Sequence, residues 1–446
     1  MANTVKITSL GVSFCAILST QAGAAGFALE HQSARALGMA FAGAQAIDDD
    51  PGMAAYNPAA LAGADGVEIS LTATGVFPLT EYDSAQATLL GIAPVAGASS
   101  GTGISPNEVI PNLTIAVPLG DRITAGFTVN GAFGLKTSYD AASVVRYQAR
   151  ESDLQVIEFA PTLAFEPAPG VTVGASLRAH LLDLTVTSTI DAGGIAAANM
   201  VPGFTPGSSD MDAAFEGDNF ALGYAVGIQA ALTPRARFGA SYSSKIEHDI
   251  EGDATFDLAG SAAGQVLNGA VGLFAADRFT SEFVTPGAAG AGFALDATDR
   301  LTLLASGRVT FWSSFEDVSL SFNDLATPDE ILRQEWKDAW SVSLGAEYEL
   351  TPQTTVRGGV MYDETPVTDQ FASPRIPDGD RYWISAGLSH QMSSRVSADV
   401  GVAYAAFGDR DINLTGAAPE ELFRGGLSGR FSFEAVAVSG RLRVAF

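Results

Sequence analysis

Residues 436–446, which close the chain, set the tightest limit on what it can become. Val436, Val438, Gly440, Leu442, Val444 and Phe446 fall on one face of an extended segment. Ala437, Ser439, Arg441, Arg443 and Ala445 fall on the other. Successive strand residues point to opposite faces, so this alternation reads as a strand with oil on one side and water on the other. The pattern runs to a terminal Phe, which resembles the signal read by the outer-membrane assembly machinery.

The same alternation recurs upstream. In Leu301–Phe311, Leu301, Leu303, Ala305, Gly307, Val309 and Phe311 oppose Thr302, Ser306, Arg308 and Thr310. Val342, Leu344 and Ala346 oppose Ser341, Ser343, Gly345 and Glu347. Val356, Val360 and Tyr362 oppose Arg357, Met361 and Asp363, and Ile384, Ala386 and Leu388 oppose Trp383, Ser385 and Ser389. Arg178 and His180 lie away from Val173, Ala175 and Leu177. Strands are expected near 67–77, 110–119, 122–133, 154–166, 170–190, 219–232, 235–256, 282–296, 299–322, 338–350, 353–363, 381–392, 395–414 and 430–446. Turns alternate between short ones, such as Gly120-Asp121 and Thr351-Pro352, and long ones, such as 78–109 and 191–218. About fourteen strands with short turns at one end and long loops at the other make an all-β, transmembrane antiparallel β-barrel. Tyr224, Tyr242, Trp340, Tyr348, Tyr362, Tyr382 and Tyr404 are candidates for its aromatic girdles.

Export supports this. Residues 1–24 read as a signal peptide, with Lys6 ahead of the apolar core Ile7–Leu18 and Ala22-Gly23-Ala24 as the cleavage site. The core is too short to span a bilayer, and no later apolar run reaches the length of a spanning helix. Phe14 before Cys15 does not suit a lipoprotein signal. Cys15 is the only cysteine, so thiolate and disulfide chemistry leave with the signal. Without spanning helices, a closed barrel is what satisfies every backbone group in lipid. Charged residues make up only 17% of the 446, and the net charge is −26. That excludes nucleic acid as a partner, since phosphate binding needs clustered Lys and Arg.

Residues 25–61, AGFALEHQSARALGMAFAGAQAIDDDPGMAAYNPAAL, precede the strands and look like neither a strand nor an amphipathic helix. They are read as a small helical plug inside the barrel 62–446. Asn57 before Pro58 favours a turn, because the Asn side chain can hold the local backbone. Phe27, Leu29 and the small residues around them either line a site for a lipid tail or merely pack the lumen.

This N-terminal stretch resembles the FadL/TodX family of outer-membrane transporters of long-chain fatty acids and hydrocarbons. Mature chains of that family also begin Ala-Gly-Phe and carry Asn-Pro-Ala in the plug, called the hatch. The resemblance continues through Phe133–Thr137, Glu216-Gly217-Asp218, Ser241–Lys245, Asp249–Gly252, Trp312–Phe315, Tyr362–Val367 and Ile376–Arg381. It implies passive uptake of hydrophobic compounds, a hatch anchored by Asn57, Pro58 and Ala59, and a bend in the third strand that opens the wall sideways. Here that bend would fall at Asn130, Gly131, Phe133 and Gly134. Glycine in a strand marks bulges and bends, although a chain with 48 Gly also uses it freely. One departure is the 191–218 loop, short and rich in Gly, Ala and Pro where the family's ligand-gathering loop is longer and more hydrophobic.

The implied partners are a long-chain fatty acid or other hydrophobic small molecule, outer-membrane lipids and detergents, and the assembly machinery through Phe446. Arg178, Arg308 and Arg357 sit on lumenal faces and could pair a fatty-acid carboxylate. Glu158, Glu347 and Asp363 share those faces, which makes a structural charge ladder the competing reading, Arg441 and Arg443 included. No cofactor, metal or catalytic residue is expected. Asp48-Asp49-Asp50 lacks the spaced carboxylates and Gly of a calcium loop. Ser244 and His248 lie four residues apart on one strand face, about 13 Å, too far to pair directly. Two other readings stand beside transport: a general porin or adhesive barrel, and a barrel hydrolase acting on lipids.

Overall fold

The computed structural model describes residues 26–323, 329–416 and 424–446. The expected signal peptide, and Ala25, lie outside the described residues. Fourteen antiparallel strands form one closed wall. In chain order they are β1 (Glu68–Leu89), β2 (Glu108–Pro118), β3 (Ile123–Ser138), β4 (Glu151–Ala168), β5 (Val171–Asp191) and β6 (Asp210–Thr233). Next come β7 (Ala236–Ser243, resuming as Ile246–Phe256), β8 (Asp277–Thr285, resuming as Ala288–Asp296) and β9 (Leu301–Thr310, resuming as Asp317–Phe322). The last five are β10 (Ala339–Thr351), β11 (Thr354–Asp363), β12 (Arg381–Ser393), β13 (Val396–Phe407, resuming as Arg410–Leu414) and β14 (Gly426–Ala445). β1 runs against β14 from Glu68–Ala445 to Thr88–Gly426, which closes the sheet and leaves no outer edge.

The alternation read from the sequence places the faces correctly. Leu177, Leu303, Val342, Leu344, Ile384 and Leu442 point outward and are exposed, whereas Arg178, Arg357 and Arg441 are buried in the bore. Near one end, rings run side by side around the outer face. Tyr224–Tyr242 and Tyr242–Phe311 are 6.1 and 6.5 Å apart, and Trp340–Tyr362 and Tyr362–Tyr382 are 5.1 and 5.3 Å apart. Beyond this belt, toward the long loops, the outward residues of β6 and β7 change to Glu216, Asp218, Glu247, Asp249, Glu251 and Asp253. The belt therefore marks where the apolar band ends.

Several bounds differ from expectation. β1 continues to Leu89 rather than stopping near residue 77, because Pro78 sits in a strand without interrupting its pairing to β14. β6 starts at Asp210, and part of the 191–218 loop is a helix (Ala192–Ala198). It packs with a second helix (Ala262–Val271) over a small apolar cluster that includes Met211, Leu267 and Phe274. β7, β8 and β9, expected as continuous strands, are each broken near the aromatic belt.

Residues 26–66 lie within the bore, with most side chains buried. Only Ala34–Leu37 is an α-helical turn; Pro51–Ala55 and Pro58–Gly63 are 3-10 turns. Each is capped by its preceding residue. Ser33, Asp50 and Asn57 accept hydrogen bonds from the N–H groups of Ala36, Gly52 and Ala59 at 3.3, 2.9 and 3.1 Å. Pro51 and Pro58 open their turns, where a missing N–H costs nothing.

Candidate functional site

The wall is not uniformly zipped. β2 pairs with β3 only from Pro118–Thr124 to Asn112–Asn130. Beyond Asn130, β3 keeps β4 on one side, with a register shift between Gly131 and Phe133 that leaves Ala132 as an extra residue. Its other side is met by the N-terminal segment. Leu29 N–H donates to Ala132 O at 3.0 Å, Gly134 N–H donates to Phe27 O at 2.8 Å, and Ala28 bridges Phe133. Gln32 Nε2 donates to Gly131 O at 3.2 Å. The four residues singled out in the third strand thus sit where β3 leaves β2, and residues 27–29 take the vacated edge.

A small cavity of about 80 Å³ lies against this bend. Leu29, Asn130, Phe133, Arg178 and Arg308 all line it, together with Pro58 and Tyr56. Both arginines already carry carboxylates. Arg178 Nε donates to Glu158 Oε2 at 2.5 Å, and Asn130 Nδ2 donates to Glu158 Oε1 at 3.3 Å. Arg308 Nε lies 3.2 Å from Glu30 Oε1 of the N-terminal segment. Phe27 is beside the cavity in an aromatic cluster, 4.6 Å from Trp312, 5.4 Å from Phe315, 5.7 Å from Phe283 and Trp336, and 5.9 Å from Phe133.

Arg357 is elsewhere. It belongs to a ring of alternating charge at the short-turn end of the bore. Arg35 Nη2 meets Glu347 at 2.8 Å, and Arg357 Nε meets Glu347 at 3.0 Å. Arg357 Nη1 lies 3.5 Å from Asp399, and Arg441 Nε 2.7 Å from the same carboxylate. Arg441 Nη1 pairs with Asp50 at 2.6 Å, and Asp50 returns to Arg35 at 3.7 Å. Arg35 and Asp50 come from the N-terminal segment; the other four come from β10, β11, β13 and β14. With Nη2 on Ser389, each of the three Arg357 nitrogens has a partner. This is the charge-ladder arrangement, and it separates Arg357 from Arg178 and Arg308.

The three aspartates at 48–50 part company. Asp48 pairs with Arg237, Asp49 with Arg35 and Asp50 with Arg441. Burial alone would raise the Asp50 pKa, but Arg441 and Arg35 outweigh it and hold the carboxyl well below the usual range. Asn57 is fully buried and gives both amide hydrogens away, to Gln45 O at 2.8 Å and to Ile228 O of β6 at 3.1 Å. Gly227 of β6 makes room for it, since a Cβ there would run into the Asn57 side chain.

His31 is enclosed between Phe41 and Trp383, at 6.2 and 5.8 Å, and neither ring nitrogen has a hydrogen-bond partner. Burial, with Arg381 adding to it, pushes its pKa down to about 4. Ser244 and His248 do not pair: Ser244 Oγ accepts from Tyr224 N–H, and His248 faces Asn219 and Thr285. Residues that sequence reasoning left out include Glu30, Phe283, Trp336 and Arg381. Arg381 Nη2 bonds Asp378 at 2.5 Å and Gly26 O at 3.2 Å, and Asp378 accepts from Gly26 N–H at 3.0 Å. The signal for Arg381 lay in Ile376–Arg381, a stretch read only as a likeness.

Comparison with known proteins agrees with this architecture. The model of the family described as outer membrane protein transport protein (OMPP1/FadL/TodX) matches residues 15–446. A long-chain fatty acid transport protein of Escherichia coli strain CFT073 is 28% identical over 415 residues, covering 87% of this chain and 88% of that protein. A 47 kDa outer membrane protein of Pasteurella multocida is 26% identical over 420 residues, covering 91% and 92%. The crystal structure of a Pseudomonas aeruginosa FadL homologue superposes with a TM-score of 0.85 at 24% identity, covering 95% of this chain and all of that one. That of the Ralstonia pickettii toluene transporter TbuX gives 0.67 at 20% identity, covering 94% and 99%.

Proposed function

Because the chain belongs to the OMPP1/FadL/TodX family of outer-membrane transport proteins, we propose that it carries long-chain fatty acids or related hydrocarbons passively across the bacterial outer membrane. In this reading residues 25–61 act as the hatch, held by Asn57, Pro58 and Ala59. The solute occupies the cavity beside Leu29 and leaves sideways where β3 departs from β2. The observation that carries it is the vacated edge of β3 at Ala132–Gly134, held only by residues 27–29 and adjoining that cavity. No energy source is required, because each CH₂ that reaches lipid gains about 0.8 kcal/mol.

For an acid, Arg178 and Arg308 are the proposed head-group residues. Arg308 is the more informative of the two, because its partner Glu30 sits on the hatch. A carboxylate that took Glu30's place on Arg308 would also loosen a hatch contact. Phe27 would move with its neighbours Ala28 and Leu29. Phe446 is the proposed contact for the assembly machinery.

The test is uptake by a strain lacking the gene, given a labelled long-chain fatty acid, a labelled alkane, a labelled monoaromatic hydrocarbon and a water-soluble sugar. Slower uptake of one or more hydrophobic compounds, with sugar passage unchanged, is expected. Parental rates for all three hydrophobic compounds contradict the proposal, and loss of sugar passage favours a general porin.

A further inference from the structure

The bend in β3 is not the wall's one unzipped stretch. β8 and β9 are paired below from Asp296–Thr302 to Ala288–Thr310, and above only at Thr280–Ser321 and Phe279–Phe322. Between these blocks lie residues 281–287 of β8 and 311–320 of β9, so β9 carries three residues more than β8. The excess is taken up by the turn Trp312–Ser314. Pro286 offers no N–H here, and the one backbone bond that crosses is Phe311 N–H to Gly287 O at 2.9 Å. The seam begins at the aromatic belt and runs toward the long loops, and unpaired strand edges at the margin of the bilayer need protein or a cavity to back them.

What backs this seam is a stack of rings rather than a ladder. Trp312 and Phe315 fill it, 6.3 Å apart, with Trp336 and Phe283 behind them. Trp312, Trp336 and Ser281 are nearly or wholly buried, yet Trp312 Nε1, Trp336 Nε1 and Ser281 Oγ have no hydrogen-bond partner. Unpaired buried donors cost free energy, so they suit a passing oxygen atom. Pro286 in the seam, and Ala288 and Thr310 just below it, line the same cavity that reaches the β3 bend. At the lower end of the seam Tyr242 and Val309 face the lipid, while higher up the exposed residues are Glu282, Ser313, Glu316 and Asp317. The two unzipped stretches are six strands apart in a wall of fourteen, almost opposite each other, and Phe27 touches Phe133 of one and Trp312 of the other.

We propose that the β8–β9 seam is a second side opening, shut here by Trp312 and Phe315, that passes an apolar or single-chain amphiphilic solute between the cavity and the surrounding lipid. The inference rests on the passive-transport reading above. Filling the β3 bend with Gly131→Val should lower uptake of a labelled fatty acid without abolishing it. Adding Trp312→Ala should raise that remainder several-fold with no rise in sugar passage. Deleting 312–314, which brings β8 and β9 into one register, should remove it. Heat-modifiable migration in gels identifies the folded barrels. If Trp312→Ala leaves the Gly131→Val rate unchanged, or sugar passage rises in step, the seam is not an opening. If Gly131→Val and the deletion, singly and together, all keep parental uptake, lateral exit itself fails, not the seam alone.

Discussion

Arg441 of the last strand donates two hydrogen bonds, of 2.7 and 2.6 Å, to the carboxylate of Asp50 in the N-terminal segment, 391 residues away in the chain. Both side chains are buried, so neither charge can turn to water. Removing one partner of a buried pair typically costs about 3–5 kcal/mol, because the other charge is left uncompensated. If the N-terminal segment acts as the proposed hatch, Asp50→Asn alone should loosen it and raise single-channel conductance in planar bilayers. Asp50→Asn with Arg441→Gln should do less damage than either change alone. Conductance unchanged in the single variants would show that the ring does not hold the N-terminal segment as a closed plug.

The anchor at Asn57 makes a separate demand on β6. Gly227→Val places carbon where the Asn57 side chain lies, and overpacking of this kind costs roughly 1–3 kcal/mol. The expected outcome is faster cleavage of the N-terminal segment by protease, with the barrel intact. Gly440→Val is the control, because open space surrounds a Cβ there. Equal protection of both variants would contradict the close approach.

Acid should weaken the packing of the N-terminal segment through His31. Its folded pKa of about 4 lies below the ordinary 6.5, so the folded state resists taking up the proton. Stability is unaffected above about 6.5, where both states are neutral, and falls as pH drops from there toward 4. The groups around the ring are Phe41, Trp383 and the cationic Arg381, none of which supplies an acceptor. Conductance should rise between pH 6.5 and 4, and His31→Phe should flatten the profile. An unaltered pH profile in that variant would assign the effect to another group.

The barrel was legible because lipid imposes its pattern residue by residue: Leu344 out and Ser343 in needs no tertiary knowledge. Plug packing is a different problem. That Asp48 and Asp50 would find Arg237 and Arg441 depends on which strands face the bore at that height, and no local pattern encodes it. The same holds for Arg357, whose strand face was correct while its partners, Glu347 and Asp399, were set by the neighbouring strands. The breaks in β7, β8 and β9 were invisible for another reason. A three-residue excess in β9 appears only against the register of β8. Glu30, beside Arg308, was read as part of a small-residue plug rather than as a charge aimed at the wall.

Lateral exit at β3 is most directly tested by the rate at which purified protein in lipid vesicles transfers a labelled long-chain fatty acid, compared across wild type, Gly131→Val and Gly440→Val. Residues 131–134 sit where β3 has lost β2, whereas Gly440 lies in a fully paired stretch of β14. A marked drop for Gly131→Val, with Gly440→Val at the wild-type rate, is the predicted result. Equal rates for all three would mean that the solute does not leave through the gap beside β3.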